Sequence, residues 1–147
     1  MAQIRTADAT WRGDLVSGSG TIDYVGSGAF SRMPVTWHAR TEASDGQTSP
    51  EELLAAAHAS CFSMALSSRL AKAGHPAAKL SVRATVTFDK GEAGWKVAAS
   101  ALRVQGDVPG MSATDFRALA EDARDNCPIS QALKGNVALS VEASLIG

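Results

Sequence analysis

Hydrophobic and polar positions change their period along this chain, and each change marks an element. Val35, Trp37 and Ala39 alternate with Thr36, His38 and Arg40, which predicts a half-buried strand. Between Leu53 and Leu66 the alternation gives way to Ala, Leu, Met, Phe, Ser and Cys, interrupted only by His58. Ser49-Pro50-Glu51-Glu52 stands just before that run. It supplies an N-cap serine, a proline at the first helical position, and glutamates in the first turn, so a helix starts there. Gly74 and Pro76 stop it near Ala73. At ~1.5 Å per residue the helix is on the order of 35 Å long. A helix apolar nearly all round is expected to be buried nearly all round. In so small a chain that predicts a central helix wrapped by sheet, or one packed against a second subunit.

Alternation returns afterwards. Leu80, Val82, Ala84, Val86 and Phe88 share one face of a strand whose other face carries Ser81, Arg83, Thr85 and Thr87. A turn over residues 90–94 leads into a second strand over 95–105, with a slip near Leu102 that suggests a bulge. Ser112 caps a second helix, with Phe116, Leu119, Ala120 and Ala123 on one face. Cys127-Pro128 breaks it, a short helical turn runs on through Leu133, and Val137, Leu139, Val141 and Ala143 form a last strand. Early Gly-Ser clusters at 17–20 and 26–28 read as turns between short strands. Strands, helix, strands, helix, strand is the order of an α+β fold with a mostly antiparallel sheet, expected here as one domain over residues 1–147.

Composition narrows the partners. The chain has 147 residues, 45% hydrophobic and 20% charged, the balance of a soluble globular domain. A net charge of −1 with no Lys/Arg run argues against nucleic acid or an anionic membrane. No apolar run reaches the roughly 18 residues of a membrane span, and the first residues have no apolar signal segment. Two cysteines are too few for a disulfide scaffold, so a reducing cytoplasm is expected, where a disulfide is transient and chemical.

The two cysteines are therefore the first candidates for chemistry. Read alone, each fits a buried apolar thiol. Cys127, with Pro128 after it, falls at a helix N-cap, where backbone N–H groups favour the thiolate. Cys61 lies mid-helix and needs a separate cation, for which Arg40 and Arg32 compete. Glu52 fills the capping-box position, which frees Glu51 to hold an arginine in a two-pronged pair. Glu51 and Cys61 are ten residues apart in sequence, roughly 15 Å along one helix. One arginine hardly spans that distance, so the hypothesis is that the two come from different subunits of a dimer. His58, three residues before Cys61, is either a base for the thiol or a packed histidine. One His and one Cys fall short of a metal site. Trp11, Trp37 and Trp95 read as core residues, and Phe30, Met33, Phe62, Met64 and Met111 as core or as the lining of an apolar pocket.

The stretch Thr48-Ser49-Pro50-Glu51-Glu52-Leu53-Leu54-Ala55-Ala56-Ala57-His58-Ala59-Ser60-Cys61-Phe62-Ser63-Met64-Ala65-Leu66 resembles the signature helix of the OsmC/Ohr family, the osmotically inducible and organic-hydroperoxide-resistance proteins. Asn126-Cys127-Pro128-Ile129-Ser130-Gln131-Ala132-Leu133-Lys134 resembles that family's second cysteine motif, and residues 9–14 and 37–40 also fit. His58 and the Ser-Gln pair are similar to the OsmC branch; Ser49 stands where asparagine is usual, and caps as well. The resemblance implies an intertwined α+β homodimer of OsmC-like fold, with mostly antiparallel sheets around a long central helix and sites at the subunit interface. It implies a stress-response thiol peroxidase without haem, flavin or metal. Cys61 would attack an organic hydroperoxide, with hydrogen peroxide as a second substrate. Cys127 would resolve the sulfenic acid as a disulfide, and Arg40 and Glu51 would activate the thiol. A lipoyl-type dithiol or small thiol would be the reductant. The alternative is a non-enzymatic dimer that senses redox state or binds an apolar ligand.

Overall fold

Thr36 decides the first departure from the alternating pattern. In the computed structural model of the chain, which describes residues 1–146, its hydroxyl donates to Gln47 and accepts the Ala39 N–H, both at 3.1 Å. Thr36 is thus the N-cap of a short helix, α1 (Trp37–Thr41). The strand predicted through Arg40 ends at Val35 instead. A five-residue helix is too short for its period to be told from alternation, so the cap settles the matter.

The chain divides into two compact units, Met1–Leu53 and Leu54–Gly147. The first holds β1 (Ala7–Arg12), β2 (Ser19–Val25) and β3 (Ser31–Val35), paired antiparallel in that order. Gly20 on β2 is hemmed in by its neighbours. A Cβ there would lie 2.5 Å from the Trp11 ring and 3.0 Å from Val35, so only glycine fits. Trp11 is 41% exposed and Trp37 half-buried, so neither is the core residue its composition suggested.

Helix α2 (Pro50–Lys72) begins at the end of this unit and gives most of its length to the second. Ser49 Oγ accepts the Glu52 N–H at 3.1 Å, the expected cap; the Glu52 carboxylate in turn takes the Thr48 hydroxyl at 2.9 Å. Gly74, at φ +85°, ends the helix. Its N–H bonds Ala71 and that of His75 bonds Leu70, the paired closure of a helix ending on a left-handed glycine.

The second unit holds β4 (Lys79–Gly91), β5 (Gly94–Asp107), α3 (Ala113–Asn126), α4 (Pro128–Leu133) and β6 (Ala138–Leu145). Its sheet order is β4-β5-β6, with the first pair antiparallel and the second parallel. Opposite the Thr87–Phe88 step on β4, pairing jumps from Ala99 to Val97, leaving Ala98 as the extra residue of a bulge. The bulge is thus earlier than the slip expected near Leu102. Beyond it Ser100, Leu102, Val104 and Gly106 are all buried on one face. Trp95 and Phe88 stack at 4.9 Å across the hairpin, with Trp95 42% exposed rather than in the core.

The core of this unit is built from Phe62, Leu66 and Leu70 of α2, Leu102 and Val104 of β5, and Phe116, Ala120 and Ala123 of α3. His58, Phe62, Leu66 and Leu70 recur every fourth residue and are fully buried, one stripe of the helix. The opposite side is not: Ala56 and Ser60 are exposed, and Met64 is 71% exposed. All-round burial of α2 is therefore not reached within one chain. The remaining face consists of small and apolar side chains. Phe30 and Met64 likewise lie on the surface, while Phe62 is core.

Candidate active site

Within the first unit, α1 and the first turn of α2 bring Arg40 and Glu51 together. Arg40 Nε donates to both carboxylate oxygens of Glu51 at 3.1 Å, and Nη2 donates to Oε1 at 2.7 Å. This is the two-pronged pair that guanidinium geometry favours. Glu51 is buried, and the Arg40 side chain keeps 31% of its surface. The guanidinium also sits 5.9 Å from the centre of the Trp37 ring. Trp11, Leu15, Val35, Trp37, Arg40 and Pro50 line an apolar pocket of about 220 Å³. A larger groove, about 620 Å³, lies against Ile4, Val25 and Phe30, and no cysteine, histidine or carboxylate lines it. Arg32, the other candidate cation, is exposed on β3 at φ +53°. His38 is exposed and pairs with Glu42 and Asp45 at 3.5 and 3.3 Å.

Within the second unit, α2 and α4 bring the two thiols together. Both are free. Cys127 is fully buried; it ends α3 and is the N-cap of α4, as the Cys-Pro pair predicted, and its Sγ accepts the Ser130 N–H at 3.4 Å. Cys61 hydrogen-bonds with Cys127 and accepts the Ile129 N–H. Burial pushes the Cys61 thiol above its ordinary range; the Ile129 N–H pulls it back, and the neighbouring Cys127 pushes it further up. Among the described residues acting on it, the Ile129 N–H is the one that favours the Cys61 thiolate.

His58 is the packed, hydrogen-bonded histidine of the two readings rather than a hydrogen-bond partner of Cys61. It is fully buried, with Nδ1 2.6 Å from Ser100 Oγ and Nε2 2.8 Å from Ser130 Oγ. Ser130 Oγ is itself 3.0 Å from Cys127 Sγ. Burial holds the imidazole below the usual histidine range, so it is neutral near pH 7. Ser100 and Ser130 were not singled out from sequence as site residues. A signal existed for each: Ser100 is a polar residue on the inward side of β5, and Ser130 is the third helical residue after a cysteine cap.

A family model described as OsmC-like protein matches residues 43–142, which takes in α2, both cysteines and the Ser130 turn. The chain belongs to the OsmC-like family. It is 38% identical over 138 residues to the peroxiredoxin OsmC of Escherichia coli K12, covering 94% of this chain and 95% of that protein. It is 36% identical over 99 residues to the organic hydroperoxide resistance protein OhrA of Bacillus subtilis, covering 66% of this chain and 67% of that one. Its fold is similar to the crystal structure of an organic hydroperoxide resistance protein from Elizabethkingia anophelis, with a TM-score of 0.75 and 26% identity over 99% of this chain and 100% of the other. The expected OsmC-like α+β fold is therefore the one observed. Among the described residues no helix is long and apolar enough to cross a membrane.

Proposed function

We propose that this OsmC-like protein is a thiol-dependent peroxidase that reduces organic hydroperoxides, and hydrogen peroxide as a second substrate. The observation that carries the reading is the hydrogen-bonded pair of free thiols, Cys61 and Cys127, with Cys127 at the start of a helix. The Cys61 thiolate attacks the distal peroxide oxygen; the O–O bond breaks, the alcohol leaves, and the sulfur is left as a sulfenic acid. Cys127 then attacks that sulfur, closing a disulfide as water departs. A dithiol of lipoyl type, or a small thiol, reopens it by exchange.

Arg40 and Glu51 are the activating pair in this reading. An arginine fixed by a buried carboxylate offers a cation of set direction to a thiol that burial otherwise keeps protonated. Because Glu51 and Cys61 are roughly 15 Å apart along α2, Arg40 in its grip on Glu51 serves the Cys61 of a second copy of the chain. The exposed small and apolar face of α2 supports such a homodimer. The apolar pocket beside Arg40 suits the alkyl or aryl group of an organic hydroperoxide. A redox-active disulfide that must be reduced again fits a cytoplasmic stress protein.

The test is peroxide consumption by purified protein with dihydrolipoamide, using cumene hydroperoxide and hydrogen peroxide. Catalytic turnover, faster with the organic substrate and abolished in Cys61→Ser, is the expected result. Reaction of only one equivalent per cysteine pair with every dithiol would instead indicate a redox sensor.

A further inference from the structure

Four side chains from three elements form one continuous hydrogen-bonded line in the second unit. Ser100 of β5 meets His58 Nδ1 at 2.6 Å, His58 Nε2 meets Ser130 at 2.8 Å, and Ser130 meets Cys127 Sγ at 3.0 Å. Ser100, His58, Ser130 and Cys127 are all fully buried. We propose that this line is a proton path for Cys127: Ser130 takes the thiol proton while handing its own to His58, which makes Cys127 a nucleophile. The proposal rests on the reading of Cys127 as the resolving cysteine and names what drives its step.

The path uses one of the two neutral tautomers of His58, that with its proton on Nδ1. A neutral imidazole donates from one nitrogen and accepts at the other. With Nδ1–H donating to Ser100 Oγ, Nε2 accepts from Ser130 Oγ–H, and Ser130 Oγ is open to accept from the Cys127 thiol. When the proton moves, each link reverses. Ser130 then donates to the thiolate, Nε2–H donates to Ser130, and the Ser130 N–H still points at the sulfur. The thiolate therefore forms with two donors already in place.

The electron count closes without an outside reagent. The Cys127 sulfur uses a lone pair to bond the sulfenic sulfur of Cys61, and the S–O bond breaks. Cys127 sulfur is oxidised by the amount that Cys61 sulfur is reduced. The departing hydroxide becomes water, and the proton it needs matches the one His58 has taken up. When a dithiol later cleaves the disulfide, the same path returns a proton to Cys127.

The surroundings suit a proton acceptor. Among the described residues, the paired charges of this unit are Arg69–Asp122, Arg103–Glu142 and Arg124–Asp125, each with an exposed carboxylate, whereas this line is fully buried. Along α2 and at the α4 cap the ionisable side chains nearest His58 are Cys61, one turn further on, and Cys127 beside Ser130; those of β5, Lys96, Arg103 and Asp107, are exposed. His58 bonds only hydroxyls, with no carboxylate to keep it protonated. Its burial is a second reason that it starts neutral.

The test needs no peroxide. A chromogenic aryl disulfide reacts with Cys61, releasing one aryl thiolate and leaving Cys61 as a mixed disulfide. Cys127 then displaces the second aryl thiolate, with its proton again going to His58. The rate of that second release is followed against pH in the full-length protein, in Ser130→Ala, in Ser130→Thr and in His58→Gln. In the unmodified protein the rate falls on the acid side as His58 protonates. Ser130→Ala and His58→Gln should each lower the rate near neutral pH about tenfold and shift the acid limb to higher pH, because the thiol must then lose its proton unaided, while Ser130→Thr, which keeps the hydroxyl, leaves the limb in place. An acid limb at the same pH in Ser130→Ala and His58→Gln as in the unmodified protein would overturn the proposal, as would an unchanged rate near neutral pH in both. A peroxidase assay on the same samples keeps the two ideas apart. That shift of the acid limb, in a protein that turns over no peroxide, supports the proton path and refutes the peroxidase reading.

Discussion

Glu51→Gln is the sharpest probe of the Arg40 pair, because it keeps the shape and removes the charge. Glutamine retains one oxygen, enough for the 2.7 Å contact with Nη2. Its amide nitrogen then faces Arg40 Nε, donor against donor, where a carboxylate oxygen accepted at 3.1 Å. A hydrogen bond to a charged group contributes ~1.5–3 kcal/mol. Arg40 is 31% exposed, so water screens part of that loss. A cost of about 2 kcal/mol follows, which is roughly 30-fold in the fraction of Arg40 held in place. The assay is single-turnover stopped flow, mixing reduced protein with cumene hydroperoxide and following loss of the Cys61 thiol. The second-order rate constant should fall roughly 30-fold, and Tm should fall by about 4–8 °C. Glu52→Gln is the control, since Glu52 bonds Thr48 and not Arg40; its rate should match the unmodified protein. A Glu51→Gln rate within about twofold of the unmodified protein, alongside the expected fall in Tm, would show that the pair only braces the fold.

Three further outcomes are expected. Cys127→Ser should consume one equivalent of peroxide to leave Cys61 as sulfenic acid, or a second where it goes on to sulfinic acid, and mass spectrometry should find no disulfide; normal recycling with a dithiol would exclude Cys127 as the resolving residue. Gly106→Ala should cost ~1–3 kcal/mol of stability in a denaturant melt, because the added methyl would lie 2.6 Å from the buried Phe116 ring; an unchanged midpoint would contradict the packing there. His58 is depressed in the folded state, so the unfolded chain binds the extra proton and stability falls as pH drops through the ordinary histidine range near 6.5; His58→Gln should flatten the Tm decline between about pH 7 and 5.

The features legible in the sequence were those made by neighbours. Ser49 and Ser112 cap their helices as read, since a cap needs only the N–H groups that follow it. Cys127 before Pro128 marks a helix start for the same reason. The Arg40–Glu51 pair was reachable because an arginine and a spare first-turn glutamate imply each other chemically. Thr36 misled because its cap is completed by Gln47, eleven residues on, while Val35, Trp37 and Ala39 mimic a strand. The line through His58 was out of reach. Its partners are 42 and 72 residues away in sequence, and only the packing of β5 and α4 against α2 brings them together.

The parallel pairing of β5 with β6 makes the thiol pair depend on a long crossover. Two antiparallel strands joined by a tight turn, such as β4 and β5, can zip as the chain emerges, but β6 joins its partner only after residues 108–137 have crossed over. Cys127 rides on that crossover. The thiol pair thus exists only where this crossover has docked. A chain still folding holds Cys61 without its neighbour, and a peroxide met at that stage leaves an oxidised sulfur with no thiol at hand to rescue it. Any chain in which this crossover is undocked is therefore open to irreversible oxidation at Cys61.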